Sequence, residues 1–290
     1  MRIAIALLAL LPSASSLLAQ ASKPAADGLA AQNALFDEYY ENELRNSPES
    51  ATAYGDYRYN DRLNDYSLAA IARRDETNRA FLKRIEAIPS SGFSDQDQLS
   101  HDLLIWVLKQ RIADFDLKEH EMPINTQTGI HTHLADLPLA APLDSAKHYE
   151  DYISRLRQIS LALSQVTDVL RAGMKDKLMP VRFIAEKIPV QCDGIITADP
   201  FLGPTRKYPA GISAEDQKRL TQAITEAVNT DVLPAYKKFA EFVRTEYAPQ
   251  GRTAGQHGSC SDPPRNQQAF QQTLHEEISR MEMAAYPGRI

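Results

Sequence analysis

The chain carries few residue groupings able to support chemistry. His131-Thr132-His133 places two imidazoles two residues apart, and if the segment is extended both point to one face, a spacing used by metal hydrolases. A third ligand is then required, and His101, His120, His148 and Asp136 are all available. No spacing selects one of them, and a polar loop with hydrogen-bonded histidines is the competing reading. His275-Glu276-Glu277-Ile278-Ser279 begins like the zinc-protease motif H-E-x-x-H, but serine occupies the position of the second histidine. Glu119 and Glu121 flank His120, and such acidic clusters are usually solvated faces. Six of the twelve tyrosines fall between Tyr39 and Tyr66, either as a binding platform or as packing over a helical core. Cys192 and Cys260 could pair in an oxidising compartment. There is no G-x-S-x-G elbow, no G-x-G-x-x-G and no P-loop. Residues alone therefore assign no catalytic, cofactor-binding or metal-binding set, with His131 and His133 the only weak candidates for metal.

Helical periodicity must position these groups. Helices are expected over 28–46 and from Ser47-Pro48, where a cap residue precedes a proline in the first turn. Residues 54–66 read as a loop. Ser67 caps a helix to about Ile88, and Ser94 opens another. Its run Leu103 to Leu108 is apolar on all sides, which predicts a central, fully surrounded helix. From Asp144 the series Tyr149, Tyr152, Leu156, Ile159, Leu163, Val166 and Leu170 is the clearest helical period in the chain. Ser213 starts a long helix to about Tyr247 that Pro234 should kink or split. The segments 122–142 and 180–209, with three and five prolines, read as irregular apart from a short helix at 183–188. Irregular segments carried by rigid helices usually line sites, so these two are expected to edge a cleft. No strand pattern intervenes, and the fold class is all-α, a multi-helix bundle-like domain with long irregular loops.

With 290 residues, 43% hydrophobic and 24% charged, the chain is long enough for a substantial core and is neither disordered nor a multi-span membrane protein. The net charge of -6 argues against nucleic acid as a partner. Met1-Arg2, the apolar run Ile3 to Leu11 and Ala19-Gln20-Ala21 have the layout of a secretory signal over 1–21, which predicts a periplasmic or secreted product with no stable membrane insertion. A helical domain is expected over 22–250. From Gly251 glycine and glutamine rise and lysine disappears, so 251–290 reads as an atypical tail of the kind a frame-shift or disorder gives, with room for a short helix over 271–283.

Six blocks carry a resemblance. Leu35-Phe36-Asp37-Glu38-Tyr39-Tyr40, Ser47-Pro48-Glu49-Ser50-Ala51-Thr52 and Gly55 to Leu63 look like the start of a bacterial exported family known as domain of unknown function 885. Gly129 to Ala135, Pro180 to Pro189 and Leu233 to Phe239 resemble its internal segments. Members are similar to large helical zinc metallopeptidases, roughly twice this length, whose H-E-x-x-H type motif lies in a second half. The resemblance thus implies the N-terminal helical portion of a metallopeptidase-like hydrolase, inactive alone. Zinc is expected for the full-length family but not in this chain. Its partners would be a peptide-like substrate or the missing C-terminal half. The alternative is a stand-alone extracytoplasmic helical binding protein.

Overall fold

A computed structural model describes the backbone of residues 15–253 and the side chains of 26–253. Helix α1 spans Ser15–Asn46, starting ahead of the expected residue 28, and α2 spans Pro48–Ala53. After the loop to Tyr66, α3 (Leu68–Glu86) and α4 (Asp95–Asp116) begin at the two serines read as caps. Ser67 and Ser94 each accept the backbone N–H three residues on, satisfying one of the donors a helix start leaves open. Ser145 does the same for α7 (Ala146–Asp176), and Ser213 for α10 (Ala214–Ala227). Among the described residues there is no strand, only one isolated bridge between Val181 and Arg252, and no helix long and apolar enough to cross a membrane.

Two expectations need correction. Segment 180–209 is mostly helical, as α8 (Arg182–Ala185), α9 (Lys187–Ala198) and a 3₁₀ turn over Pro200–Arg206, whereas 122–142 is irregular to Gly129 and then forms α5 (Ile130–Ala135) and α6 (Leu137–Ala140). Most of their prolines lie outside these helices or in first turns, Pro204 inside the 3₁₀ turn being the exception. Pro138, Pro189 and Pro200 fall within first turns, where the missing N–H had no intrahelical acceptor. The second correction concerns α4. Leu104 and Leu108 are buried, but Leu103 and Trp106 are exposed, so this helix lies at the surface. Pro234 does split its helix. A π-turn over Val228–Val232 separates α10 from α11 (Leu233–Phe242), and the wider turn accommodates a residue that cannot donate.

The body packs α10 and α11 on α7, with α9 held against α11. Its core runs from Leu156, Ile159 and Leu163 to Ile188, Phe201, Ile224, Tyr236 and Phe239. A separate small core, Leu35, Phe81, Ile85, Leu104 and Leu108, joins α1, α3 and α4. The 54–66 loop lies along the polar edge of α7. Gln158 and Ser154 donate to the carbonyl of Asp61, and Leu63 and Tyr66 donate their N–H groups to Gln158 and Gln165.

Candidate functional site

Helices turn the paired histidines away from each other. On α5 a two-residue step rotates a side chain by about 200°, so His131 and His133 diverge where an extended segment would have aligned them. His131 is fully buried. Its Nε2 lies 3.0 Å from Oε1 of Gln191, its carbonyl accepts the Tyr236 hydroxyl at 2.7 Å, and its ring stacks near Phe239. Burial holds its pKa below the ordinary imidazole value. Gly129 makes room for it, since a Cβ there would come within 2.4 Å of the ring.

His133 faces the other way. Its side chain is 60% exposed, and Nε2 sits 2.9 Å from Oε2 of Glu49, whose own side chain is only 9% exposed. Glu49 also accepts the Tyr66 hydroxyl at 2.8 Å and both the backbone N–H and the side-chain amide of Asn64. The hydrogen bond to Glu49 raises the pKa of His133. Burial pushes Glu49 up, but the bonds from His133, Asn64 and Tyr66 outweigh it and hold the carboxyl below its ordinary value.

The other proposed ligands lie with partners of their own. His101 Nδ1 is 2.8 Å from Gln32 Oε1, and His148 Nδ1 is 2.6 Å from Asp144. His120 stacks on Phe115, and burial depresses its pKa. Among the described residues no three His, Cys, Asp or Glu side chains gather as a metal ion requires. Cys192 is buried and has no disulfide partner among the described residues, and burial pushes its thiol pKa up to about 12. Cys260 and the His275-Glu276 segment lie outside the described residues. The tyrosines of 39–66 form no single platform. Tyr39 packs edge-on against Phe81, Tyr66 binds Glu49, and Tyr54 stands exposed.

Periodicity alone left Arg155 unnoticed, although it falls on the apolar face of α7 between Tyr152 and Ile159. Its buried guanidinium donates to the carbonyls of Arg62, Pro48 and Tyr59 and to the Thr52 hydroxyl, all neutral acceptors. Burial accordingly lowers its pKa. A lone arginine within an apolar helical period is a readable signal of this kind, because a buried charge must find fixed acceptors.

The two proline-bearing segments do meet around one cleft of about 620 Å³, within the usual range for small-ligand sites. One wall is Ala135, Asp136, Pro138, Leu139 and Leu143; the other is Pro200, Gly203, Pro204, Lys207, Tyr208 and Pro209; Tyr149 of α7 joins them. The Tyr149 hydroxyl donates to the carbonyl of Pro204, its ring packs against Tyr208 at 4.8 Å, and the Tyr208 hydroxyl bonds Thr221. Leu139 is 86% exposed over the opening. The walls thus offer rings and apolar side chains, with one carboxylate and one ammonium. Among the described residues four non-glycine residues have a left-handed backbone. Lys118, Lys177 and Asp199 do so at helix ends, where it is common, whereas Leu143 does so (φ 27°) on the cleft wall. Such a conformation costs on the order of 1–3 kcal/mol and tends to persist at binding sites.

Fold and cleft together define an all-α protein with a preformed, largely apolar groove between helical segments. Residues 48–285 match the family described as bacterial protein of unknown function (DUF885), and the chain belongs to that family. The matched span continues past Gly251, where composition shifts, and takes in most of the tail that the sequence reading had set apart. No curated protein matches the chain.

Proposed function

We propose that the chain is the N-terminal helical portion of an exported, periplasmic or secreted metallopeptidase-like hydrolase, and that the groove between residues 135–143 and 200–209 holds a peptide-like substrate. The observation that supports this is the meeting of those two segments around one cleft. Prolines and tyrosines give an extended peptide flat apolar contact, while Asp136 and Lys207 are placed to meet its polar groups. The described residues do not fit a zinc site. His131 and His133 diverge, and each already has a partner. No hydrolytic step is therefore assigned to them; zinc and its water would belong to the C-terminal half expected from the resemblance.

Fluorescence anisotropy with a labelled peptide mixture, alongside elemental analysis after dialysis, tests the proposal. Peptides should bind without being cleaved, Tyr208→Ala with Leu139→Asp should weaken binding at least tenfold, and zinc should stay substoichiometric. Cleavage by the chain alone, or binding indifferent to these changes, would sink the reading. The absence of an assembled hydrolytic set among the described residues also favours a second reading, a stand-alone extracytoplasmic binding protein. Co-expression with a C-terminal half separates the two: restored peptidase activity supports the enzyme portion, and unchanged binding without activity supports the stand-alone module.

A further inference from the structure

The exposed side of α4 carries a pattern that the described residues leave uncovered. Leu99, Leu103, Trp106, Gln110, Ala113 and Leu117 follow one another at spacings of four, three, four, three and four residues. That is the a/d seam of a coiled coil, lying opposite the face that buries Leu104 and Leu108. Leu99 is 57% exposed, Leu103 55%, Trp106 44% and Leu117 48%. Four large apolar side chains in one line are more than scattered surface hydrophobics, and such a stripe marks an interaction face.

We propose that this seam pairs α4 with α4 of a second copy of the chain, antiparallel, about a two-fold axis between residues 104 and 105. The charges beside the seam select that partner and that direction. In this register Leu103 of each copy packs on Trp106 of the other, and Leu99 covers Gln110. Asp102 then lies beside Lys109 of the second copy, twice by symmetry. Lys109 already binds Glu86 at 2.9 Å, so the approaching carboxylate completes a three-member ion cluster. The opposite flank brings Ser100 against Val107, without like charges. One like pair, Asp95 and Asp116, falls at the ends of the contact, where Arg79 neutralises Asp116. Parallel in-register pairing would instead place Asp102 beside Val107 and stack Gln110 on itself. The polar Gln110 within an apolar seam is the usual device that fixes register. A seam of this length, about 27 Å, buries on the order of 1,000 Å² in total, the low end for a specific interface, so the dimer exchanges with monomer at micromolar concentration.

Trp106 is the only tryptophan, so intrinsic fluorescence reads the seam directly. Sedimentation velocity and emission spectra of the full chain over two decades of concentration should show doubling of mass together with a blue shift. Leu103→Glu should abolish both. Lys109→Glu should weaken the dimer at least tenfold, and adding Asp102→Lys should restore it, a rescue that general stickiness would not give. Circular dichroism and the dilute-limit emission confirm that each variant is folded. Three results would overturn the proposal. One is a monomer with water-exposed Trp106 at every concentration. Another is a monomer whose Trp106 is already shielded and becomes exposed on deletion of 254–290, which would make the tail the cover. The third is a dimer indifferent to the charge changes.

Discussion

The body around α7 and the layer of α1, α3 and α4 are both helical, but they are held by different means. The body has a continuous interior that reaches from Leu63 and Ile124 to Tyr247 and Ala248. The layer shares a cluster of five buried apolar residues and is laced at its surface by Arg84–Glu38, Arg111–Glu43, Lys109–Glu86 and Arg79–Asp116. Each such exposed pair contributes only about 0–1 kcal/mol. Apolar burial sets the ranking, so the layer should open before the body does. The difference teaches that α4 is an outer wall with capacity to spare, while α7 is the frame from which the rest is positioned.

The joint between the two regions is the place to break that contrast hardest. Arg155→Met should cost about 3–5 kcal/mol, because the carbonyls of Pro48, Tyr59 and Arg62 lose their donor inside the protein. Urea denaturation measures the loss, and hydrogen exchange should show residues 48–63 released first. Matched core truncations come next. Leu156→Ala in the body should lower global stability by about 2–5 kcal/mol, whereas Leu108→Ala in the layer should speed exchange in α1, α3 and α4 and leave α10 and α11 protected. Equal loss of protection in both regions would erase the distinction.

Gly173→Ala is a smaller change. A Cβ at Gly173 would lie 2.5 Å from the carbonyl oxygen of Glu121, so the turn at 119–121 must retreat from α7, at about 1–3 kcal/mol by thermal denaturation. The smallest effect concerns the two histidines, which should titrate with opposite sign. The folded pKa of His133 is raised, so its bond to Glu49 contributes fully below pH 6.5 and is lost as pH rises through the folded value. Glu49 is lowered, so its share is present above pH 4.5 and is lost as pH falls through its folded value. Between those limits His133→Gln should cost about 0.5 kcal/mol or less, given the exposure of the imidazole, and nothing well above neutrality. His131 is lowered, so its protonation instead weakens the fold as pH falls below 6.5.

Much of this architecture could be read before the coordinates. Serine caps at 67, 94 and 213, the period of α7 and the break at Pro234 are local signals, each fixed by residues within one or two turns. What escaped reading was set by distant neighbours. Five prolines predict an irregular 180–209, but Pro189 lies in the first turn of α9 and Pro200 opens a 3₁₀ turn, positions where the missing N–H has no intrahelical acceptor to lose. An apolar run in α4 could not reveal which of its sides the layer would cover. The edges of the cleft were legible as segments, yet Tyr149 and Tyr208 meet there because α7 passes beneath both walls. The divergence of His131 and His133 follows from helix where extension had been assumed.

The small bridge between Val181 and Arg252 has a consequence for the order of events as the chain is made. Arg252 donates its N–H to the carbonyl of Pro180, Arg182 donates to the carbonyl of Arg252, and Gly251 sits against the backbone of Arg182 where no side chain would fit. These contacts close the span 180–252 into a ring. On a chain emerging from its N-terminus, α7 and α9 are present well before the residues that fasten the ring. Until position 252 arrives, α8 lacks its clasp, and until α11 is made α9 lacks its cover. That interval is when the apolar faces of α7 and α9 stand open to other chains, and its length is set by the residues from 199 to 252 still to be synthesised.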